Sequence, residues 1–340
     1  MALTPPETVL HGGDLDAARQ QFPSAPEPWI DLSTGINPEA YPLPKLCPAA
    51  WSRLPLTSDE WALREIAARH YGAADPSMIV PAPGAQSLIQ IIPRLRNRSR
   101  LAILGPTYGE HVAAWQREGH ETTEINNLSE AGSANVIALV NPDNPTGRTV
   151  SPDTLRSVAA ALACRDGLLV VDEAFVDIMP EGTSIVPDLP PATIVLRSFG
   201  KAYGLAGMRL GFAVADKGMA SQLGDHLGPW AVSGPALAIG KAALADRDWL
   251  AQSRQRLERD SQRLDAVLVG TGCSIVGGTP LFRLVAHPNA QCIAETLGRH
   301  GIHVRRFPQQ PTLLRFGLPG PAQDWQRLLQ ALRVASASTE

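Results

Sequence analysis

The sequence predicts an α/β protein, with a mostly parallel central sheet covered by helices and a smaller α+β domain after it. Three observations carry that expectation. Short apolar, β-branched runs such as NVIALV (135–140) and ATIVL (192–196) alternate with helical patterns, as in doubly covered parallel sheets. Gly84, Tyr108, Asn144, Asp172 and Lys201 each fall just after a predicted strand, at the sheet edge where α/β proteins bind ligands. Beyond residue 225 the order changes to a long amphipathic helix (246–268) followed by strand-like CSIVGG, PLFRLV and IHVRRF.

Residues 1 to about 45 are rich in Pro and Gly and read as an extended arm lying on the small domain or on a partner subunit. The arm carries His11-Gly12-Gly13 and DLSTGINP (31–38). The large domain is expected over 46–225 and the small one over 226–340. Helical spacing over 59–71 stops at Gly72. Met78–Ala82 is a short strand, and Pro83-Gly84-Ala85-Gln86-Ser87 then opens a helix whose first amides and dipole favour an anion. Leu101–Leu104 is a strand followed by GPTYGEH and a helix carrying His111 and Trp115. The strand 135–140 runs into NPDNPTG (141–147), and Ser151-Pro152 supplies an N-cap and a first-turn proline. Leu168–Val171 ends in Asp172-Glu173-Ala174-Phe175. The strand 192–196 leads into RSFGKAYGLAGMRLG (197–211), where one lysine lies among small residues. A desolvated amine loses its proton readily and can attack a carbonyl. Ser198 and Arg209 are suited to a phosphate, and the glycines let backbone approach a flat ligand.

The chain of 340 residues carries 44% hydrophobic and 19% charged residues and a formal net charge of -3. This balance gives no electrostatic case for nucleic acid or an anionic membrane surface. Cys47, Cys164, Cys273 and Cys292 are widely spaced, which signals neither a metal site nor a disulfide framework and leaves buried thiols in a reducing cytoplasm as the expectation. The first residues lack the basic and apolar regions of a secretion signal.

In order along the chain, NPDNPTG, VDEAF (171–175) and SFGKAYGLAGMRLG resemble fold-type I pyridoxal-phosphate enzymes of the aminotransferase class I/II group. That resemblance, from about residue 30 to the end, implies pyridoxal 5'-phosphate as cofactor. It implies Lys201 as the lysine that binds it and later moves protons, Asp172 against the ring nitrogen and Asn144 on the ring's phenolic oxygen. Ser198, Arg209 and the amides of Ala85 and Gln86, with Gly84 before them, would hold the phosphate. His111 would stack on the ring, with Tyr108 in reserve, and Arg315 in LLRFGLPG would grip the substrate carboxylate. His11 and Asn37 in the arm would touch the substrate. Within the group, the early HGG, DLSTGINP, PTYGEH, GGTPLFRLV and FPQQPTLLRFGLPG are similar to the cobalamin-pathway branch that decarboxylates L-threonine O-3-phosphate. The sister branch comprises histidinol-phosphate aminotransferases. Either implies a small phosphorylated substrate and a homodimer with its active site at the interface. Two departures stand out. Gly200 occupies a place where relatives often carry Ser or Thr, and Leu54 a place where a tyrosine commonly reaches the neighbouring subunit's cofactor.

Overall fold

The computed structural model describes residues 11–337, so the first ten residues of the expected arm lie outside the described residues. The strands, numbered in chain order, are β1 (Ile30–Leu32), β2 (Ile79–Ala82), β3 (Arg100–Leu104), β4 (Glu121–Ile125), β5 (Val136–Val140) and β6 (Leu168–Asp172). They continue as β7 (Thr193–Ser198), β8 (Gly211–Val214), β9 (Ser274–Thr279), β10 (Phe282–Ala286), β11 (Ile302–Arg306) and β12 (Leu313–Gly317). The chain divides into two compact units, the first built on Ala40–Asn144 and Arg148–Ala251, the second on residues up to Glu39, Pro145–Gly147 and the chain from Gln252 onward.

The first unit holds a seven-stranded sheet in the order β2-β8-β7-β6-β5-β3-β4. Strands β3 to β7 pair in parallel, and β8 is antiparallel to both β7 and β2. Every residue of β5 and β6 is buried, which explains their unbroken apolar sequences. On one face Val80, Ile103, Val136, Val170, Ile194 and Leu196 form a core with Leu88, Ile89, Ala114, Trp115 and Leu223 from the helices Ala85–Ile91, Glu110–Arg117 and Lys217–Leu227. The helix Pro152–Ala163 buries Leu155, Ala159 and Leu162. Its start is set by Ser151, whose Oγ accepts the Thr154 N–H at 3.3 Å.

The expected break at residue 225 falls later in the structure. The helix Gly234–Ala245, capped by Ser233, buries Leu237 and Ile239 and packs on the helix Thr57–Tyr71. Gly240 allows the close approach, since a Cβ there would lie 3.3 Å from a Leu63 methyl. This segment therefore stays with the first unit.

The second unit carries a five-stranded sheet, β1-β11-β12-β10-β9, in which β1 is parallel to β11 and the remaining pairs are antiparallel. The arm residues up to Glu39 thus belong to this unit, with β1 as an edge strand. Arg327, on the helix Ala322–Ala337, pins them by donating to the carbonyls of Pro28 at 2.6 Å, Pro26 at 2.7 Å and His300 at 2.9 Å. Among the described residues no helix is long and apolar enough to cross a membrane. The cysteines correct their expectation: only Cys273 is buried, whereas Cys47, Cys164 and Cys292 are exposed free thiols on helix or loop surfaces.

Candidate active site

In the first unit one sheet edge gathers the sequence-predicted residues. The parallel strands β3, β5, β6 and β7 end there, and β2, twice reversed through β8, runs in the same sense as β7. Gly84, the 105–111 turn, Asn144, Asp172, Ser198 and Lys201 follow those strand ends, and Arg209 precedes β8 at the same edge. The order of strands does what the separate motifs could not.

At the β2 end, Gly84 has φ +85 and ψ 155, a region reserved for glycine. A Cβ at this position would lie 2.7 Å from Nη2 of Arg209. Arg209 is itself left-handed, with φ 54, and exposed. Gly211, paired with Ser198, passes so close to Gly84 and Ala85 that its Cβ would lie 2.7 Å from the Gly84 carbonyl carbon. The side-chain-free backbone, the guanidinium and the opening turn of a helix form a cradle of a size and charge for phosphate. The residues present therefore fit the phosphate end of the expected cofactor. Thr107 adds a buried Oγ1 with no hydrogen-bond partner among the described residues, on the turn that carries Tyr108. Gly200 has a local reason: a Cβ there would meet the Ala206 Cα at 2.6 Å, so serine would require the backbone to move.

The structure gives His111 a contact that the spacing along the chain does not reveal. Its Nε2–H donates to Asp172 Oδ2 at 3.0 Å, with the two residues 2% and 4% exposed. The carboxylate, an acceptor only, fixes that tautomer. Asp172 Oδ1 accepts the Ala174 N–H at 3.0 Å. The imidazole edge is thus tied to the carboxylate of Asp172. Tyr108 is half-buried, and its hydroxyl donates to Gln86 Oε1 at 3.1 Å. Gln86 Nε2 donates in turn to Glu110 Oε2 at 2.7 Å, which ties the aromatic ring to the phosphate turn.

Asn144 sits on a loop anchored by Asn141. The Asn141 N–H donates to the Asp172 carbonyl at 2.8 Å, and its side chain accepts the Val150 N–H at 2.8 Å and donates to the Val150 carbonyl at 3.1 Å. Asp143 N–H closes the loop on the Arg148 carbonyl at 2.8 Å. Lys201 lies in the short helical turn Phe199–Ala202, half-buried, with Nζ 5.8 Å from the centre of the buried Phe175 ring.

Arg315, His11 and Asn37 belong to the second unit. Arg315, 6% exposed, donates from Nη2 to the Ser33 carbonyl at 2.5 Å and lies 5.1 Å from the Phe282 ring centre. Burial, with Arg305 nearby, pulls it down to about 10. The arm's two motifs meet at the same place: Gly13 N–H donates to Ser33 Oγ at 2.7 Å, and Ser33 N–H and Oγ donate to Asp31 at 2.8 and 2.6 Å. Exposed His11 precedes that contact by two residues. Asn37 is buried, and its Oδ1 accepts the Glu39 N–H at 3.0 Å and Arg256 Nη2 at 2.9 Å. Sequence reasoning missed Arg305. It stands directly opposite Arg315 in the β11–β12 ladder, on the same face. The adjacent arginines of IHVRRF were the available signal, but the register that selects Arg305 needed the paired strands.

The family model for aminotransferase class I and II matches residues 55–332. A threonine-phosphate decarboxylase of Pseudomonas aeruginosa is 41% identical over 325 residues, covering 95% of this chain and 96% of the relative. A threonine-phosphate decarboxylase of a Sinorhizobium species is 42% identical over 328 residues, covering 95% and 97%. Among solved structures, a histidinol-phosphate aminotransferase from Sinorhizobium meliloti in complex with pyridoxal-5'-phosphate superposes with a TM-score of 0.82, at 23% identity, covering 100% of this chain and 99% of that one. The last likeness speaks for the fold and the first two for kinship, in agreement with the order of motifs along the sheet edge. The chain belongs to the aminotransferase class I and II family.

Proposed function

We propose that this protein is a pyridoxal-phosphate-dependent decarboxylase of L-threonine O-3-phosphate, yielding (R)-1-amino-2-propanol O-2-phosphate for cobalamin assembly. The observation that carries the reading is the arginine pair. Two guanidiniums directly opposite each other on one sheet face repel, and Arg315 is buried as well. A substrate with a carboxylate and a phosphate would add negative charge beside both guanidiniums, next to that of Asp31, which already acts on Arg315. The near full-length kinship with threonine-phosphate decarboxylases supports the same substrate.

When bound, pyridoxal phosphate supplies an electron sink, stronger while its ring nitrogen is protonated. The chain's residues do the rest. The carboxylate of Asp172, oriented by His111 and the Ala174 amide, keeps that proton in place. Tyr108 would cover the ring, and Asn144 would donate to its phenolic oxygen. Ser198, Arg209 and the amides of Ala85 and Gln86 would hold the phosphate. Lys201 would carry the cofactor and afterwards return a proton to the substrate carbon. Arg315 would grip the substrate carboxylate in either reaction, so the orientation of the held substrate sets which bond breaks. A clamp that sets the carboxylate perpendicular to the ring leads to loss of carbon dioxide, whereas one that sets the Cα hydrogen there leads to amino transfer. Arg305 takes the substrate phosphate, with His11 and Asn37 as further contacts.

The same reading places the protein in the cytoplasm, where exposed free thiols persist reduced, and makes it a homodimer. Trp51 at 71%, Leu54 at 64% and Leu56 at 64% exposure form an apolar stretch of a kind that a second copy covers. Leu54 would meet the partner there without the tyrosine's polar contact.

The test is carbon dioxide release from L-threonine O-3-phosphate by the purified protein without any 2-oxo acid. Many turnovers, abolished in Lys201→Ala, are expected. No release, with amino transfer from histidinol phosphate to a 2-oxo acid, would replace the reading with an aminotransferase.

A further inference from the structure

One residue along from the cofactor-facing groups, the chain buries a cluster of charges that the reaction does not use. Side chains alternate across a strand, so Glu173 points away from the face of Asp172, and Arg197 away from that of Ser198. Glu173 is 0% and Arg197 4% exposed. Arg197 Nη1 donates to Glu173 Oε2 at 2.9 Å, and Nη2 donates to buried Asp177. The guanidinium also lies 4.2 Å over the centre of the Tyr71 ring. Glu173 accepts Ser184 Oγ–H at 2.6 Å and Ile185 N–H at 2.9 Å.

The position of this cluster matters more than its charge. The β6–β7 ladder ends at the pair Asp172 and Leu196, with one more bond from Glu173 N–H to the Leu196 carbonyl at 2.9 Å. Past that point β6 turns into the helical turn Val176–Ile178 and β7 into the turn Phe199–Ala202, which bears Lys201. The two segments part just beyond Asp172 and just before Lys201. The Arg197 fork joins them, one nitrogen to Glu173 beside Asp172 and the other to Asp177 in the turn beyond.

We propose that Arg197, locked by Glu173 and Asp177, is a positioning residue that sets the spacing between Asp172 and Lys201. A planar fork performs this task, while a lysine, with one point charge on a flexible stem, cannot hold two carboxylates at fixed separation. The proposal rests on Asp172 and Lys201 gripping the cofactor.

The experiment uses Glu173→Gln, a near-isosteric change that keeps the carbonyl acceptor, together with Arg197→Lys and their double variant. Three quantities are read: thermal unfolding of the cofactor-free protein, the visible absorption band of bound pyridoxal phosphate with its pH midpoint, and kcat against KM for threonine phosphate. The expected result is a shifted pH midpoint and a kcat lower by roughly 10²-fold, as misplacement of about an ångström produces, with KM little changed. The double variant should lose no more than the worse single one. If Arg197→Lys fails to fold, Glu173→Gln carries the test by itself. Folded variants that melt earlier but keep the wild-type band, pH midpoint and kcat would overturn the proposal and leave a structural ion pair. Wild-type protein that binds no pyridoxal phosphate would instead overturn the reading beneath it.

Discussion

Replacing His111 in two ways separates a ring that covers the cofactor from one that holds a carboxylate. Phenylalanine keeps a flat aromatic face but cannot donate, whereas glutamine keeps a donor near the Nε2 position and loses the face. The bond at stake is 3.0 Å long, between groups 2% and 4% exposed. A hydrogen bond to a charged, buried partner is worth about 1.5–3 kcal/mol. At about 1.4 kcal/mol per decade, that is roughly ten- to a hundredfold in cofactor affinity. The remaining Ala174 N–H, 3.0 Å from Oδ1, keeps the carboxylate partly solvated and places the effect toward the lower end. Titrating the cofactor-free variants with pyridoxal phosphate and following visible absorbance measures it. His111→Phe should bind about tenfold more weakly or worse, and His111→Gln nearly as well as wild type. The reverse order, with phenylalanine tolerated and glutamine poor, would refute the orienting role and restore His111 as the stacking ring.

Gly84→Ala places a side chain at φ +85 and 2.7 Å from Arg209, so the protein should lose about 1–3 kcal/mol from backbone strain alone. Its affinity for pyridoxal phosphate should fall more than its affinity for unphosphorylated pyridoxal, and equal losses would remove the phosphate cradle from the argument. His70 tests a pH effect. Its Nδ1–H donates to the Leu244 carbonyl at 3.0 Å, and burial lowers its proton affinity below the ordinary value of 6.5 despite Asp177 nearby. The unfolded chain then binds more protons than the folded one, so this group's stabilising share is present above 6.5 and is lost as pH falls below it. Chemical denaturation across that window should show a slope that His70→Gln flattens, and an unchanged slope would assign it to other groups.

The strands and the cofactor-facing motifs were legible in the sequence because both are local. An all-apolar run such as 168–171 fits only a strand buried on both faces, and Lys201, Asp172 and Asn144 stand next to strand ends whatever the register. Strands β1 and β4 were not legible. Glu121–Ile125 reads as polar because it lies at the sheet edge with only Ile125 buried, and three residues in β1 are too few for a pattern. The helix Gly234–Ala245 could not be assigned to a unit from its own sequence, since Gly240 acquires meaning only against Leu63.

The site divides in the same way. Sequence supplied the kinds of group, namely an amine, a carboxylate, a turn suited to phosphate and an arginine suited to a carboxylate. Which groups meet was a tertiary decision. His111 turned to Asp172 because the helix Glu110–Arg117 and strand β6 come together through packing, not through spacing along the chain. Arg305 became the neighbour of Arg315 because antiparallel register chose it over Arg306, and Arg197 met Glu173 because strand alternation turns it away from the side of Ser198. Residue chemistry is written in the chain, but distances between residues far apart in it exist only once the sheet has formed.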